Sequence, residues 1–309
     1  MKIRRIVILS AVIAALLLPA GIRAEDILNG NNFDVIYTGL NKGYAEEVLK
    51  NSEDSYAIIS KTLGHSLEQN ISITLTTSSE QFHRLTSDVL PEWSAAAAIG
   101  NENIVVSPLP GRKQNLTRIM AHEIIHIVIN DAAGEIFVPR WFHEGCAQNF
   151  SGEWNIRDRI YMLWKVSRGK LLSFEDIQNV FSAQLADAGL AYDQSMLAIR
   201  QFMKKNGRSA MPAVIDGMKN GNSFADAFYE ASGLWPSEFE KEYLEYIRKN
   251  YGKRSLYSII PGTWTLIMII AFIVYFIKRR RNKRLMQQWE IVEAAENIIN
   301  FRDYSGPSQ

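Results

Sequence analysis

The chain has 309 residues, 47% of them hydrophobic and 22% charged, with 34 Lys+Arg against 33 Asp+Glu. That composition excludes a disordered chain and leaves room for one or two domains with a proper core. The two ends hold 11 of the basic and 4 of the acidic residues, so 25–277 carries 23 against 29, a net −6. A mildly acidic middle has no electrostatic footprint for nucleic acid. Cys146 is the only cysteine, which excludes an intrachain disulfide and leans toward a bacterial envelope over a disulfide-rich secretome.

Residues 1–24 have the layout of a secretory signal. Lys2, Arg4 and Arg5 form a basic start, and Ile6 to Leu18 is an apolar run too short to span comfortably. Cleavage after Ala24 is the expectation; an uncleaved N-terminal anchor is the alternative, since Ile22 is large for such a site. The segment 33–110 then reads as mixed α and β. Phe33 to Thr38 is β-prone. Tyr44 to Leu63 places Tyr44, Val48, Ser55, Ile58, Ile59 and Leu63 near helical spacing, and Gly64 supplies a stop. Ile71, Ile73 and Leu75 alternate with Ser72, Thr74 and Thr76, the pattern of a half-buried strand. Ser79 to Leu85 reads as a short helix. Ala95 to Ile99 and Asn103 to Ser107 flank Gly100-Asn101 as a hairpin, and Pro108 and Pro110 end the sheet.

From 115 to 250 the pattern is nearly all helical. Asn115 or Thr117 caps a helix to about Asn130, and Pro139 opens another to about Phe150. Further helices are expected near 155–168, 173–181, 190–205, 208–219, 222–232 and 236–250. Leu256 to Ile277 runs without a charge. As a helix it measures about 33 Å, enough to cross a bilayer. Tyr257, Trp264 and Tyr275 sit near its ends, where amphipathic rings favour the interface. Six cations follow within 278–284 and place that end in the cytoplasm. The organisation expected is thus a signal (1–24), an extracytoplasmic α+β domain (25–255), one span of the cytoplasmic membrane (256–277) and a basic cytoplasmic tail (278–309).

The chemistry is concentrated in the helix that Asn115 or Thr117 caps. His122-Glu123-Ile124-Ile125-His126 puts two imidazoles one turn apart on one face, so both reach a single ion. A zinc hydrolase holds its ion by three protein groups and keeps a position open for water. His122 and His126 are two of them, and Glu144 on the following helix is the third. Glu123 lies between the histidines as the general base for water. The cofactor expected is one Zn2+. His143 neighbours Glu144, but adjacent helical residues point about 100° apart, so one ion does not easily take both; Glu144 is favoured. Trp141 reads as a packing residue, and Arg140 as the partner of a carboxylate or as ordinary surface. Cys146 reads as a small packed residue, with no base beside it to make it a nucleophile.

The stretch from His122 to Gly145 resembles the gluzincin branch of the zincin metallopeptidases, and within it the peptidase-MA-like group. In that group the second helix reads roughly Pro-x-Trp-x-x-Glu-Gly, here Pro139 to Gly145. Trp93 and Ala191-Tyr192-Asp193-Gln194-Ser195 are similar too. So are Gly207, Gly221-Asn222-Ser223-Phe224, Ala227-Phe228 and Gly233, and the resemblance covers about residues 30–250. It implies a zincin-like α+β fold, with an N-terminal mixed sheet whose edge strand lines the cleft and a helical C-terminal lobe. It also implies a peptide or protein substrate, and a role for Tyr192 in steadying the oxyanion; a buried helix-start tyrosine is the alternative. There is no Gly-Ala-Met-Glu-Asn segment, and Glu144 lies one residue nearer to His126 than in the alanyl-aminopeptidase-like relatives, so aminopeptidase action is not implied.

The function expected is a membrane-anchored, extracytoplasmic zinc peptidase. A different class competes with it: a zinc-containing binding or sensor domain coupled through the span to a cytoplasmic partner of the tail. An intramembrane protease is excluded, because Arg118 and Asp131 flank the motif helix and no 20-residue apolar span lies near it.

Overall fold

In a computed structural model the described residues are 25–86, 94–108, 115–152, 156–183, 188–252 and 264–286. The expected 1–24 signal, Trp93, residues 256–263 at the start of the expected span and the residues beyond 286 lie outside them. The chain divides into two units, Met1–Arg248 and Lys249–Gln309.

In the first unit a five-stranded sheet is built from β1 (Glu25–Asn29), β2 (Phe33–Thr38), β3 (Ile71–Leu75), β4 (Ala96–Ile99) and β5 (Asn103–Val106). Its order is β1-β2-β3-β5-β4. The central pairs β2–β3 and β3–β5 are parallel, and the outer pairs β1–β2 and β4–β5 are antiparallel. The sheet is therefore mixed, as expected. Phe33, Val35, Ile71, Ile73 and Ile104 are fully buried, consistent with central strands covered by helices.

Ten helices are described in this part of the chain. They are α1 (Lys42–Leu63), α2 (Ser79–Leu85), α3 (Leu116–Ala133), α4 (Arg140–Ser151), α5 (Ile156–Ser167), α6 (Phe174–Ala183), α7 (Ala188–Asn206), α8 (Ala210–Lys219), α9 (Phe224–Ser232) and α10 (Pro236–Tyr251). α1 ends where the sequence places its stop: Gly64 has φ 70° and donates to the Ser60 carbonyl. Its buried face differs from the expected one. Ala45, Val48, Ser52, Ser55, Tyr56, Ile59 and Leu63 point inward, while Tyr44 and Ile58 are exposed. The expected set straddles the boundary of the face, and the small Ala45 and Ser52 admit a closer approach than Tyr44 allows.

The helical lobe gathers around Trp141. Its indole is 2% exposed and stacks on Phe174 with centroids 4.1 Å apart, with Phe224, Phe228 and Phe239 around it. This settles Trp141 as a packing residue. Gln194, also fully buried, clamps the loop before α6 by accepting from Leu172 N and donating to Leu172 O, both at 2.9 Å. The same residue's carbonyl accepts the Tyr243 hydroxyl at 2.6 Å. These bonds fix the position of α7 against the lobe.

In the second unit a helix over 264–286 is exposed along its whole length. Among the described residues no helix is long and apolar enough to cross a membrane. Of the charge-free run 256–277, residues 264–277 are described and helical.

Candidate metal centre

α3 carries the motif and is an unusual helix for its composition. Ile124, Ile125, Ile127, Val128 and Ile129 are β-branched and poor helix formers, yet all five are fully buried. Packing against α1, α4 and β4 holds the helix where propensity does not. Its N-terminus is capped by Asn115, whose side chain accepts from Arg118 N at 3.3 Å. Between the apolar positions runs one stripe, Ile119, His122, Glu123, His126 and Asn130, and every one of these lines a cleft of about 660 Å³.

α4 forms the facing wall. Pro139 stands just outside it in an extended conformation (φ −62°, ψ 141°), one residue earlier than the first-turn position expected. Gly145 makes the next contact possible. A Cβ there would lie 2.4 Å from the Ser195 carbonyl oxygen on α7, so the two helix backbones touch at this point. Glu144, immediately before it, is buried and turned toward α3.

Glu144 Oε2 lies 3.7 Å from His122 Nε2 and 3.5 Å from His126 Nε2. The ligand atoms of these three residues all fall within 4.8 Å of one another. A tetrahedral zinc site with bonds of about 2.1 Å has edges of about 3.4 Å, so two edges already approach that value and the donors, two imidazoles and a carboxylate, suit the ion. Burial alone would raise the Glu144 pKa. The charge on His126 and hydrogen bonds with His122 and His126 outweigh it, holding the carboxyl well below the usual range. Arg140 Nη1 stands 3.4 Å from the other oxygen, Glu144 Oε1. Arg140 is thus the partner of a carboxylate, although half of its side chain is exposed.

Glu123 does not join this group. Its carboxylate turns to β4 and accepts the Ala98 backbone N–H at 2.7 Å. Tyr192, from the first turns of α7, lines the same cleft and is only part-buried. Ser94 and Ala95 to Ala98 complete the wall, so the outermost strand of the sheet borders the cleft. Cys146 is fully buried, and burial pushes its thiol well up, which removes it as a nucleophile.

Residues 51–249 match the Peptidase MA superfamily. The chain belongs to that superfamily. No curated protein matches it. Among solved structures it is similar to a two-domain M1 zinc metallopeptidase variant bound to L-arginine, with 14% identity and a TM-score of 0.38 over 73% of this chain and 50% of that one. It is also similar to an M1 zinc metallopeptidase from Deinococcus radiodurans, with 13% identity and a TM-score of 0.37 over 72% of this chain and 51% of that one. The chain spans about half the length of these structures. Likenesses of this size say nothing about activity.

Two residues of this superfamily member's site escaped the sequence reading. His143, weighed there only as a ligand, lies edge to edge with His126, their ring planes 17° apart and their Nδ1 atoms 2.5 Å apart. Burial, and after it the charge on His126, push the His143 imidazole down to about 3. Asn130 meets His143 from behind, its Oδ1 2.8 Å from His143 Nε2. The available signal was helical spacing: Asn130 follows His126 by four residues and Glu123 by seven, which puts it on the motif face.

Proposed function

We propose that this chain is a membrane-anchored, extracytoplasmic zinc peptidase that cleaves peptide bonds. The observation that carries the reading is the pairing of two carboxylates with different neighbours. Glu144 sits among imidazoles in a group of three ligand atoms, while Glu123 in the same cleft sits apart and is held by a backbone N–H. His122, His126 and Glu144 would hold one zinc ion. When bound, it supplies a Lewis acid and lowers the pKa of water toward about 7.

The remaining steps belong to the chain's own groups. Glu123 takes the proton of the attacking water and returns it to the leaving amine. Tyr192 donates its hydroxyl to the oxygen on which negative charge develops. The β4 edge receives the substrate. Ser107 N bonds to Ala95 O across the hairpin, and antiparallel ladders alternate, so both backbone groups of Ala96 and the carbonyl of Ala98 face the open side, the Ala98 N–H being held by Glu123. An extended peptide can add there as a further strand.

The anchor rests on the 256–277 run and the cations after it. The described part of that run, 264–277, is helical and carries Leu266, Ile269, Phe272 and Ile273 exposed. Export through 1–24 would place residues 25–255 outside and the 278–309 tail inside. Protease added to spheroplasts, which exposes a periplasmic or an extracellular domain alike, should then remove the domain and spare the tail; a domain protected in spheroplasts overturns that placement.

The test of the activity is a peptide-library digest by the full chain in detergent, alongside metal analysis. Wild-type chain should carry one zinc and cleave. Glu123→Gln should keep the zinc and lose about 10²–10⁴-fold in turnover. Full turnover in that variant would falsify the mechanism. Stoichiometric zinc with no cleavage of any library would favour a binding domain instead.

A further inference from the structure

Behind His126 the hydrogen bonds run in one direction. Asn130 Nδ2 donates to the Gly100 carbonyl at 2.6 Å, at the tip of the β4–β5 hairpin. An amide nitrogen only donates, so this bond fixes which way the side chain faces and leaves Oδ1 for His143 Nε2, 2.8 Å away. An amide oxygen only accepts, so His143 Nε2 carries the proton. With one proton per ring, His143 Nδ1 is the acceptor, and it faces His126 Nδ1 at 2.5 Å. His126 Nδ1 must then donate, and its lone pair is on Nε2, the atom turned toward Glu144 Oε2 at 3.5 Å.

We infer that Asn130 and His143 are positioning residues that hold His126 as the Nδ1–H tautomer and aim its Nε2 at the metal, with the chain of bonds anchored on the Gly100 carbonyl. The inference rests on the reading of His126 as a zinc ligand. Metal-bound imidazoles usually give their second nitrogen to a carboxylate, a carbonyl or water, which fixes tautomer and ring orientation. Here a second imidazole takes that place. The two rings are nearly coplanar, 17° between their planes, so the Nδ1 atoms meet edge to edge.

The relay also ties the ligand to the cleft wall. Glu123 holds Ala98 and Asn130 holds Gly100, so one face of α3 grips the hairpin at two points seven residues apart along the helix. A shift of the hairpin would therefore move the general base and the His126 support together.

Zinc affinity of the full chain, measured by competition with a chelator, tests the inference without reference to turnover. His143→Phe keeps a flat ring and removes both hydrogen bonds; it should weaken zinc binding about ten- to a hundredfold. His143→Gln restores an acceptor for His126 and a donor for Asn130, and should recover most of that loss. The second readout needs no variant. In metal-free wild-type chain carrying ¹⁵N-histidine, the His126 signals should place the proton on Nδ1. A proton on Nε2 overturns the relay, and so does a folded Phe variant that binds zinc as tightly as wild type. Wild-type chain that takes up no zinc overturns the ligand assignment instead.

Discussion

The Glu123 carboxylate accepts the Ala98 backbone N–H at 2.7 Å, which joins the residue placed to take a proton from water to the strand that borders the cleft. A hydrogen bond to a charged group contributes about 1.5–3 kcal/mol. Ala98→Pro deletes the donor at an outward-facing edge position, where proline is tolerated. Turnover should fall about ten- to a hundredfold while zinc content holds. Unchanged turnover would show that the bond does not position Glu123 during the reaction.

Zinc should stabilise the folded chain, because its ligands come from two helices that meet only on folding. At a hundredfold excess over Kd, binding adds about 2.7 kcal/mol, a rise of about 5–10 °C in melting temperature for a domain of this size. Chelator should reverse the rise. Glu144→Ala should abolish it, and a rise that persists in that variant means that another group supplies the third donor.

Much of this site is local, and that part is legible in the sequence. His122 and His126 share a face because a helix repeats every 3.6 residues, and Glu144 is signalled by the second-helix pattern around it. The hold on Glu123 is not legible, since the donor is a backbone N–H that any residue but proline has. The role of His143 depends on how closely α4 approaches α3, a packing distance that no spacing in the sequence states. The fold divides in the same way. β1 was not expected, because Glu25, Asp26, Ile27 and Asn29 are exposed and lack the alternation of a half-buried strand. Antiparallel pairing with β2 alone makes it a strand.

Tyr192→Phe separates the two readings of that residue. The ring stays and only the hydroxyl goes. Loss of one donor to a developing oxyanion costs about 10²–10³-fold in turnover. KM and zinc content should change little. A variant that melts lower yet cleaves at the wild-type rate identifies the hydroxyl as a structural group.

Gly145 predicts the strongest effect away from the ligands. The Cβ of an alanine would sit 2.4 Å from Ser195 O and 2.7 Å from both Ser195 C and Ile199 Cγ1. Two of those atoms are backbone, so no rotamer change relieves the clash; α4 and α7 must part. Overpacking of this kind costs about 1–3 kcal/mol, and the better helix propensity of alanine returns at most about 1 kcal/mol. Parting the helices also separates Glu144, next to Gly145, from Tyr192, one turn before Ser195. Gly145→Ala should therefore melt several degrees lower and turn over more slowly. Serine at the same position should do at least as badly. An alanine variant as stable and as active as wild type would mean that the α4–α7 contact is looser than its geometry indicates.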